Sequence, residues 1–232
     1  DQWWLPGLFR GVTLLHRPDA GLDDVWLRAD RDPATGLGTL TVELTCPPEA
    51  YPVRVTCAAL GLDAELPDAT AANILDVGPV EAWSADAPRL YEVEVANAAE
   101  TLLVRTGFRR VEVVGDAWLV NGRRLRLRGV NRHDFDPVEG RVFDAAKVRE
   151  AMLLMKRHHL NAIRTSHYPP HPVLLDLADE LGFWVIDECD LETHGFETNG
   201  WVGNPSDDAD WREVYLDRAR RMVERDKNHP CV

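Results

Sequence analysis

The sequence predicts an immunoglobulin-like β-sandwich followed by the first part of an α/β domain, a (β/α)8 TIM barrel truncated before its fourth strand. Two observations support this prediction. From residue 17 to about residue 108, apolar and polar residues alternate with a period of two, which is typical of half-buried strands. After about residue 110, short apolar runs alternate with segments whose apolar residues recur three or four positions apart, which indicates strands alternating with helices and therefore a parallel sheet.

The first half contains several short strand candidates separated by turn residues. Apolar and polar residues alternate in 40–44, 53–57 and 91–95, and Pro47-Pro48 and Gly78-Pro79 are among the turn signals between such runs. Because each strand would bury one face, two packed sheets are the expected arrangement. The Cys…Trp…Cys signature of antibody domains is missing, so the sequence predicts only the sandwich architecture.

The second half begins with a hairpin signal, Asn121-Gly122 between two strand-like runs, which predicts a type I′ turn. Asp144 is placed to cap a helix, and Pro172 and Gly182 mark the start and the end of the next one. The expected order is strand, helix, strand, helix, strand and, after a loop, helix, at residues 125–131, 144–155, 162–165, 172–181, 183–186 and 211–222. Three strands cannot close a barrel of eight, so we expect their apolar faces to lack partners.

The bulk composition is that of a soluble globular protein, with 45% hydrophobic and 28% charged residues among 232. The net charge is −13 and lysine and arginine are scattered along the sequence, so no nucleic-acid partner is expected. No apolar run reaches the roughly 20 residues of a membrane helix, so no membrane partner is expected. Cys46, Cys57, Cys189 and Cys231 form no CxxC pair, which favours reduced thiols in a cytoplasmic protein.

Polar side chains follow each of the three predicted barrel strands. The three clusters are Asn131–Asp134, Arg164–Tyr168 and Asp187–His194. In a barrel of this type the chemistry lies at the carboxyl ends of the strands. A single histidine there is more often structural, but three consecutive polar strand ends favour a functional site at one mouth.

The residues alone leave the chemistry of this mouth open. Glu192 and His194 lie two positions apart in a segment expected to be extended, so they offer an oxygen and a nitrogen ligand to one metal ion. Surface hydrogen bonding is the alternative for so short a motif. Asp187 and Glu188 are candidates for acid–base chemistry or for an ion pair with Arg164.

Several stretches, in the expected order, resemble glycoside hydrolase family two. They are Trp83–Tyr91, Leu127–Asp134, Arg164–Pro169 and Ile186–Glu188. By this resemblance, residues 1–16 are the last strand of an N-terminal sugar-binding jelly-roll domain, residues 17–108 the immunoglobulin-like sandwich and residues 109–232 the N-terminal part of the TIM-barrel catalytic domain. The chain is then an internal fragment of a longer protein.

Within the family, the run Glu192–Gly195 is similar to the β-galactosidases of the bacterial lactose-hydrolysing type. The resemblance implies that Glu192 and His194 bind an active-site Mg²⁺, that His133 and His167 contact the galactosyl group, and that Arg164 steadies the nucleophile. It also implies retaining hydrolysis of terminal β-D-galactosides by two glutamates that lie beyond Val232, so the fragment alone is expected to be inactive. The full-length protein is expected to form a homo-oligomer.

Two alternatives remain at this point. The first is a β-glucuronidase-like enzyme or another β-glycosidase of the same family, which would carry a carboxylate-binding arginine or lysine pair further along. The second is a non-catalytic carbohydrate-binding or scaffold module built on the sandwich and a decayed barrel. The residue pair that follows the fourth barrel strand would distinguish an enzyme from a scaffold module. An Asn-Glu pair at this position supports an enzyme, and any other pair supports a scaffold.

Overall fold

The computed structural model describes residues 7–71 and 73–232. Seven strands make up the first half of the chain. They are β1 (Asp24–Arg31), β2 (Leu37–Thr45), β3 (Val53–Cys57), β4 (Leu62–Leu66), β5 (Ile74–Pro79), β6 (Tyr91–Ala96) and β7 (Thr101–Thr106). They form two antiparallel sheets with the strand orders β1-β2-β5 and β4-β3-β6-β7.

The alternating pattern explains how these two sheets pack. Leu40 and Val42 of the first sheet and Val55, Val93 and Val95 of the second are buried in a single apolar core. The polar residues between them point away from that core, because successive side chains of a strand face opposite sides. The first half is therefore a two-layer β structure, as the period of two predicts.

A small three-stranded sheet connects this structure to the second half. It consists of β8 (Val111–Val114), β9 (Ala117–Val120) and β10 (Arg123–Arg124), in the order β10-β9-β8. The predicted hairpin between β9 and β10 is confirmed, since Asn121 and Gly122 have φ angles of 51° and 76°. Two successive positive φ angles are what a type I′ turn requires.

The second half is a β-α-β-α-β unit followed by a loop and a helix. Its elements are β11 (Gly129–Asn131), α1 (Ala145–Arg157), β12 (Ala162–Arg164), α2 (Pro172–Leu181), β13 (Trp184–Ile186) and α3 (Arg212–Asp226). The strands are parallel in the order β11-β12-β13. The predicted helix ends are confirmed: Asp144 accepts hydrogen bonds from the amides of Ala146 and Lys147, and Gly182 closes α2 with a φ of 77°.

The strand predicted at residues 125–131 is shorter in the structure and begins at Gly129. Asn161 accounts for the difference. Its side chain donates to the main-chain oxygen of Arg126 at 3.0 Å and accepts from the amide of Arg128 at 2.7 Å. Because a side chain satisfies these two backbone groups, the segment before Gly129 does not need to join the β11-β12 ladder.

The two halves share part of their packing. Trp83 and Ala85 come from the first half, but they are buried in the core formed by α1, α2 and β13. Trp83 also donates a hydrogen bond from Nε1 to the main-chain oxygen of Asp179 at 2.9 Å, and its ring meets that of Trp184 edge to face at 4.9 Å. The segment after β5 is therefore built into the second half.

Residues 7–16 form no strand with any other described residue. The strand predicted over residues 1–16 also includes Asp1–Pro6, which lie outside the described residues, so it stays a prediction. Among the helices of the described residues, none has the length and apolar character needed to cross a membrane.

Candidate active site

The carboxyl ends of β12 and β13 border an open cleft of about 550 Å³. Its walls consist mainly of polar and charged side chains from the segments that follow these two strands. They are Arg164, His167, Asp187, Glu188, Cys189, Leu191, Glu192, Thr193, His194 and Trp201. The sequence predicts a polar mouth at this end of the sheet, and the structure brings Arg164, His167, Glu192 and His194 together there.

Glu188 links Arg164 to His167 at the floor of the cleft. The Nε atom of Arg164 donates to Glu188 Oε1, and the other carboxylate oxygen of Glu188 lies 3.3 Å from His167 Nδ1. Arg164 also reaches β11, where its Nη1 donates to Asn131 Oδ1 at 3.4 Å. The ends of all three parallel strands are thus joined through one guanidinium group.

Thr165 holds Glu188 in this position. The Glu188 amide donates to Thr165 Oγ1 at 2.9 Å, and the threonine is almost completely buried. Parallel pairing between β12 and β13, in which Arg164 faces Ile186, places Glu188 two residues further along and beside Arg164. The sequence alone leaves Glu188 open between acid–base chemistry and an ion pair with Arg164, and the structure shows the ion pair.

His133 borders the same region from the end of β11. Its ring centroid lies 5.5 Å from that of His167, at an interplanar angle of 74°. Burial of the ring, together with the positive charges of His167 and Arg141, lowers the pKa of His133 below its ordinary value. A neutral imidazole offers one donor and one acceptor nitrogen, which suits a hydroxyl group.

Glu192 and His194 lie next to each other at the rim of the cleft. Glu192 Oε1 is 3.3 Å from His194 Nδ1 and also accepts the His194 amide at 3.1 Å. A separation of this size lets one oxygen and one nitrogen coordinate the same small cation at adjacent positions. The two residues therefore fit Mg²⁺ as a partial ligand set, and four further ligands would have to come from water or other groups.

Asp187 is the carboxylate of the cleft with the most perturbed pKa. Burial and a hydrogen bond with Asp226, together with the negative charge of Asp226, raise the pKa of Asp187 to about 7. Thr165 Oγ1 donates a hydrogen bond to Asp187 Oδ1 at 3.4 Å, which lowers that pKa but does not offset the other effects. Near neutral pH, a proton on Asp187 therefore lies in a hydrogen bond between the carboxyl groups of Asp187 and Asp226.

Asp134 belongs to the first predicted polar cluster but does not line the cleft. It is buried and forms ion pairs with Arg132 and with Arg10, the latter at 3.0 Å, and it accepts the His171 amide at 3.0 Å. Burial alone would raise the pKa of Asp134, but the charge of Arg132 and the His171 amide outweigh it and lower that pKa. Asp134 therefore stabilises the end of β11.

Trp201 is a cleft residue that was not predicted from the sequence. Its ring centroid lies 6.2 Å from that of His194, and it follows a 3-10 turn at His194–Asn199. The sequence signal was weak, since the residue lies in a loop without hydrophobic periodicity. An aromatic ring among polar side chains is a common feature of small-molecule sites.

The cleft offers many hydrogen-bonding groups around a small open volume. Its carboxylates Glu188 and Glu192 already contact arginine or histidine side chains. The arrangement is therefore suited to binding and orienting a polyhydroxylated ligand, whose hydroxyl groups both donate and accept.

Comparisons with known proteins agree with this picture. Residues 111–232 match the family model for glycosyl hydrolases family 2, TIM barrel domain. The β-galactosidase of Arthrobacter sp. (strain B7) is 56% identical over 232 residues, which is 100% of this chain and 23% of that protein. The β-galactosidase of Pectobacterium atrosepticum is 38% identical over 258 residues, covering 100% of this chain and 24% of that protein. The chain thus spans about a quarter of the length of these relatives.

Solved structures give the same fold. A β-glucuronidase of Faecalibacterium prausnitzii superimposes with a TM-score of 0.71 at 28% identity, covering 91% of this chain and 34% of that one. A β-glucuronidase from an uncultured Clostridium sp. superimposes with a TM-score of 0.77 at 24% identity, covering 91% of this chain and 36% of the other, and supports the fold alone.

Proposed function

The chain belongs to glycosyl hydrolase family 2, and from this premise we propose that it supplies part of the active site of a retaining β-galactosidase. In this proposal the two-layer β structure is an immunoglobulin-like sandwich domain, and β11 to α3 are the first part of the TIM barrel. The substrates are terminal, non-reducing β-D-galactosides of the lactose type.

One observation carries the proposal: a continuous chain of contacts runs from Arg164 through Glu188, His167 and Glu192 to His194. It joins the side chains expected to touch the sugar to those expected to hold the metal. Bringing charged groups together costs free energy of desolvation. A non-catalytic scaffold module, which has no ligand to bind at this place, would not be expected to keep them together.

The choice of galactoside over glucuronide rests on two further features. The run Glu192–Gly195 is present and its glutamate and histidine face one another at 3.3 Å. The relative from Arthrobacter, with 56% identity across the whole chain, carries the name β-galactosidase. The two β-glucuronidases compared above are more distant, with 28% and 24% identity to this chain. An enzyme that acts on glucuronides is therefore the alternative to this proposal.

We assign His133 and His167 to the galactosyl hydroxyl groups. His133, with its lowered pKa, acts as a neutral donor and acceptor, while His167 is oriented by Glu188 and Glu192. A hydrogen bond that strengthens as the sugar ring flattens toward the oxocarbenium ion stabilises the transition state selectively. Arg164 would orient a nucleophilic carboxylate by a charge-assisted contact.

Glu192 and His194 would hold Mg²⁺ as two of its ligands. When bound, the ion supplies positive charge that favours the ionised state of nearby carboxylates. The general acid–base and nucleophilic glutamates of retaining hydrolysis are proposed to be supplied by residues outside this chain, since Glu188 and Glu192 are committed to the contacts above. The chain alone is therefore expected to lack glycosidase activity.

A substrate panel tests this proposal. An enzyme that contains this chain within a complete family 2 sequence is assayed on nitrophenyl β-galactoside and nitrophenyl β-glucuronide, with the 232-residue chain alone as a second sample. We expect the galactoside to be preferred by at least about tenfold in kcat/KM, and no turnover by the chain alone. A preference for the glucuronide would establish the alternative, and turnover by the chain alone would disprove the assignment of its carboxylates.

A further inference from the structure

A basic groove lies at the opposite end of the parallel sheet from the cleft. It has a volume of about 980 Å³ and is bordered by the start of the second half, the hairpin and the segment around Trp83. The basic residues of this groove are Arg31, Arg123, Arg124, Arg126, Arg128 and Lys156, with His159 beside them. Asp86 is the sole acidic residue among the described residues that line it.

The four arginines of residues 123–128 are exposed and form no ion pair with a carboxylate of the described residues. By contrast, other exposed arginines of this acidic chain, such as Arg54, Arg212 and Arg218, each pair with a neighbouring carboxylate. Lysine and arginine are otherwise scattered along the sequence, but these four lie within residues 123–128, and all four line the same groove. Their field attracts anions locally, because screening confines it to about 8 Å at physiological salt.

Arg124, Arg126 and Arg128 occupy alternate positions of the short segment that leads from β10 to β11. One end of this segment is bonded to β9, where the Leu125 amide donates to the Trp118 oxygen at 2.8 Å, and the Arg128 oxygen at the other end accepts the Asn161 amide at 2.9 Å. In an extended chain, alternate side chains project to the same side at intervals of about 6.7 Å. The side chain of Asn161 fixes this segment through its bonds to the main chain of Arg126 and Arg128, at 3.0 and 2.7 Å. The guanidinium groups are thus carried by a backbone that is ordered before any ligand arrives, which lowers the entropy cost of binding.

We propose that the basic groove binds an extended acidic peptide whose carboxylates occupy alternate positions. At the repeat of an extended chain, three alternate side chains span about 13 Å, too far for one phosphate or carboxylate group to contact them all, whereas alternate glutamates of an extended peptide have the same repeat. Arginine forks also match carboxylates in a bidentate geometry. In addition, β10, which contains Arg124, is the edge strand of its sheet, so a peptide strand has a backbone edge to align with.

The surroundings of the groove favour a peptide over a nucleic acid. The chain as a whole carries a net charge of −13, which disfavours a long polyanion, whereas a short peptide needs only the groove. Val120, Leu125, Leu160 and Trp184 also contribute apolar surface to the lining. Such surface accommodates the side chains between the carboxylates.

The test is fluorescence anisotropy with a labelled peptide of about eight residues in which glutamate and threonine alternate, at low salt. A peptide with glutamine in place of glutamate is the first control, and it requires no change in the protein. The combined variant Arg124→Gln, Arg126→Gln and Arg128→Gln is compared with Arg212→Gln, Arg220→Gln and Arg221→Gln, which removes the same charge from exposed positions of α3.

We expect the acidic peptide to bind and the glutamine peptide to bind at least about tenfold more weakly. The groove variant should lose at least about tenfold in affinity and the α3 variant should match the wild type, with both retaining the wild-type melting temperature. Equal affinity of the two peptides, or of the groove variant and the wild type, would overturn the proposal. Tighter binding of a single-stranded oligonucleotide of similar length that displaces the peptide would overturn it in favour of a nucleic-acid site.

Discussion

The Nδ1 atom of His167 lies 3.3 Å from Oε2 of Glu192. The side chain assigned to the sugar therefore touches a side chain assigned to the metal, and Glu188 Oε2 lies 3.3 Å from the same nitrogen. Because both carboxylates that hold this imidazole follow β13, its orientation depends on the segment after that strand. Changes at this contact are expected to affect the transition state more than the fold.

In an enzyme that contains this chain, His167→Ala should lower kcat on the order of 100-fold while ground-state inhibitor binding changes less. The reason is that a hydrogen bond to the flattening sugar ring is strongest in the transition state. Steady-state kinetics, inhibition by galactose and thermal unfolding are measured on the same variant. A lower melting temperature with unchanged turnover per folded molecule would instead make His167 a structural residue.

For the isolated chain, Mg²⁺ should bind weakly, with a dissociation constant on the order of 1 mM, because Mg²⁺ prefers six nearly octahedral ligands and Glu192 and His194 supply two. Calorimetric titration of the wild type, Glu192→Ala and Glu197→Ala measures this, with the exposed Glu197 as the matched control. A micromolar site that is lost in Glu192→Ala and kept in Glu197→Ala would contradict the prediction, since two residues would then suffice.

Local sequence signals predicted the parts of the fold that are determined locally. Asp144 at the start of α1 and the two positive φ angles at Asn121-Gly122 depend only on neighbouring residues. The site residues at the strand ends followed from the same order of elements. The sequence left two roles open for Glu188, an ion pair with Arg164 among them, because its partner is set by the register of β12 against β13. It did not predict the packing of Trp83, whose hydrogen-bond partner Asp179 lies 96 residues away.

Asp187→Asn should change how the free energy of unfolding depends on pH. The pKa of Asp187 in the folded protein is about 7, above its ordinary value of 3.8. The bound proton therefore stabilises the folded state in full below about pH 3.8, and this stabilisation is lost as the pH rises through about 7. Relative to the wild type, the variant should therefore gain stability between about pH 4 and pH 8, by a few kcal/mol at most.

Urea unfolding at both pH values measures this difference, with Asp207→Asn as an exposed control that should show no such trend. A difference between Asp187→Asn and the wild type that stays constant with pH would show that Asp187 does not share a proton with Asp226.

Trp83→Phe tests the hydrogen bond that joins the two halves. The substitution keeps an aromatic ring next to Trp184 but removes the Nε1 donor, so the buried main-chain oxygen of Asp179 loses its partner. We expect the free energy of unfolding to fall by about 1–3 kcal/mol. Trp118→Phe is the matched control, because Trp118 is 57% exposed and should change stability little. Equal effects of the two substitutions would show that the hydrogen bond contributes nothing.

Gly182→Ala tests how closely α2 approaches the segment after β5. Gly182 ends α2 with a φ of 77°, and a Cβ atom added there would collide with the main-chain oxygen of Ala85. That oxygen also accepts a hydrogen bond of 2.9 Å from Lys156 Nζ, which in turn donates to the Gly182 oxygen at 2.6 Å, so Ala85 is held against the helix end. The collision therefore has no easy relief.

Gly200→Ala separates the two costs of such a substitution. Gly200 has a φ of 70°, close to that of Gly182, but no atom lies within 4 Å of its added Cβ. In both variants the left-handed alanine should lower the free energy of unfolding by about 1 kcal/mol. In Gly182→Ala the steric collision adds to this, so the total loss should be about 2–4 kcal/mol. Urea unfolding of both variants measures the difference. Equal losses would mean that the contact between Ala85 and the end of α2 can open at no cost, and that the two halves are not locked together at this point.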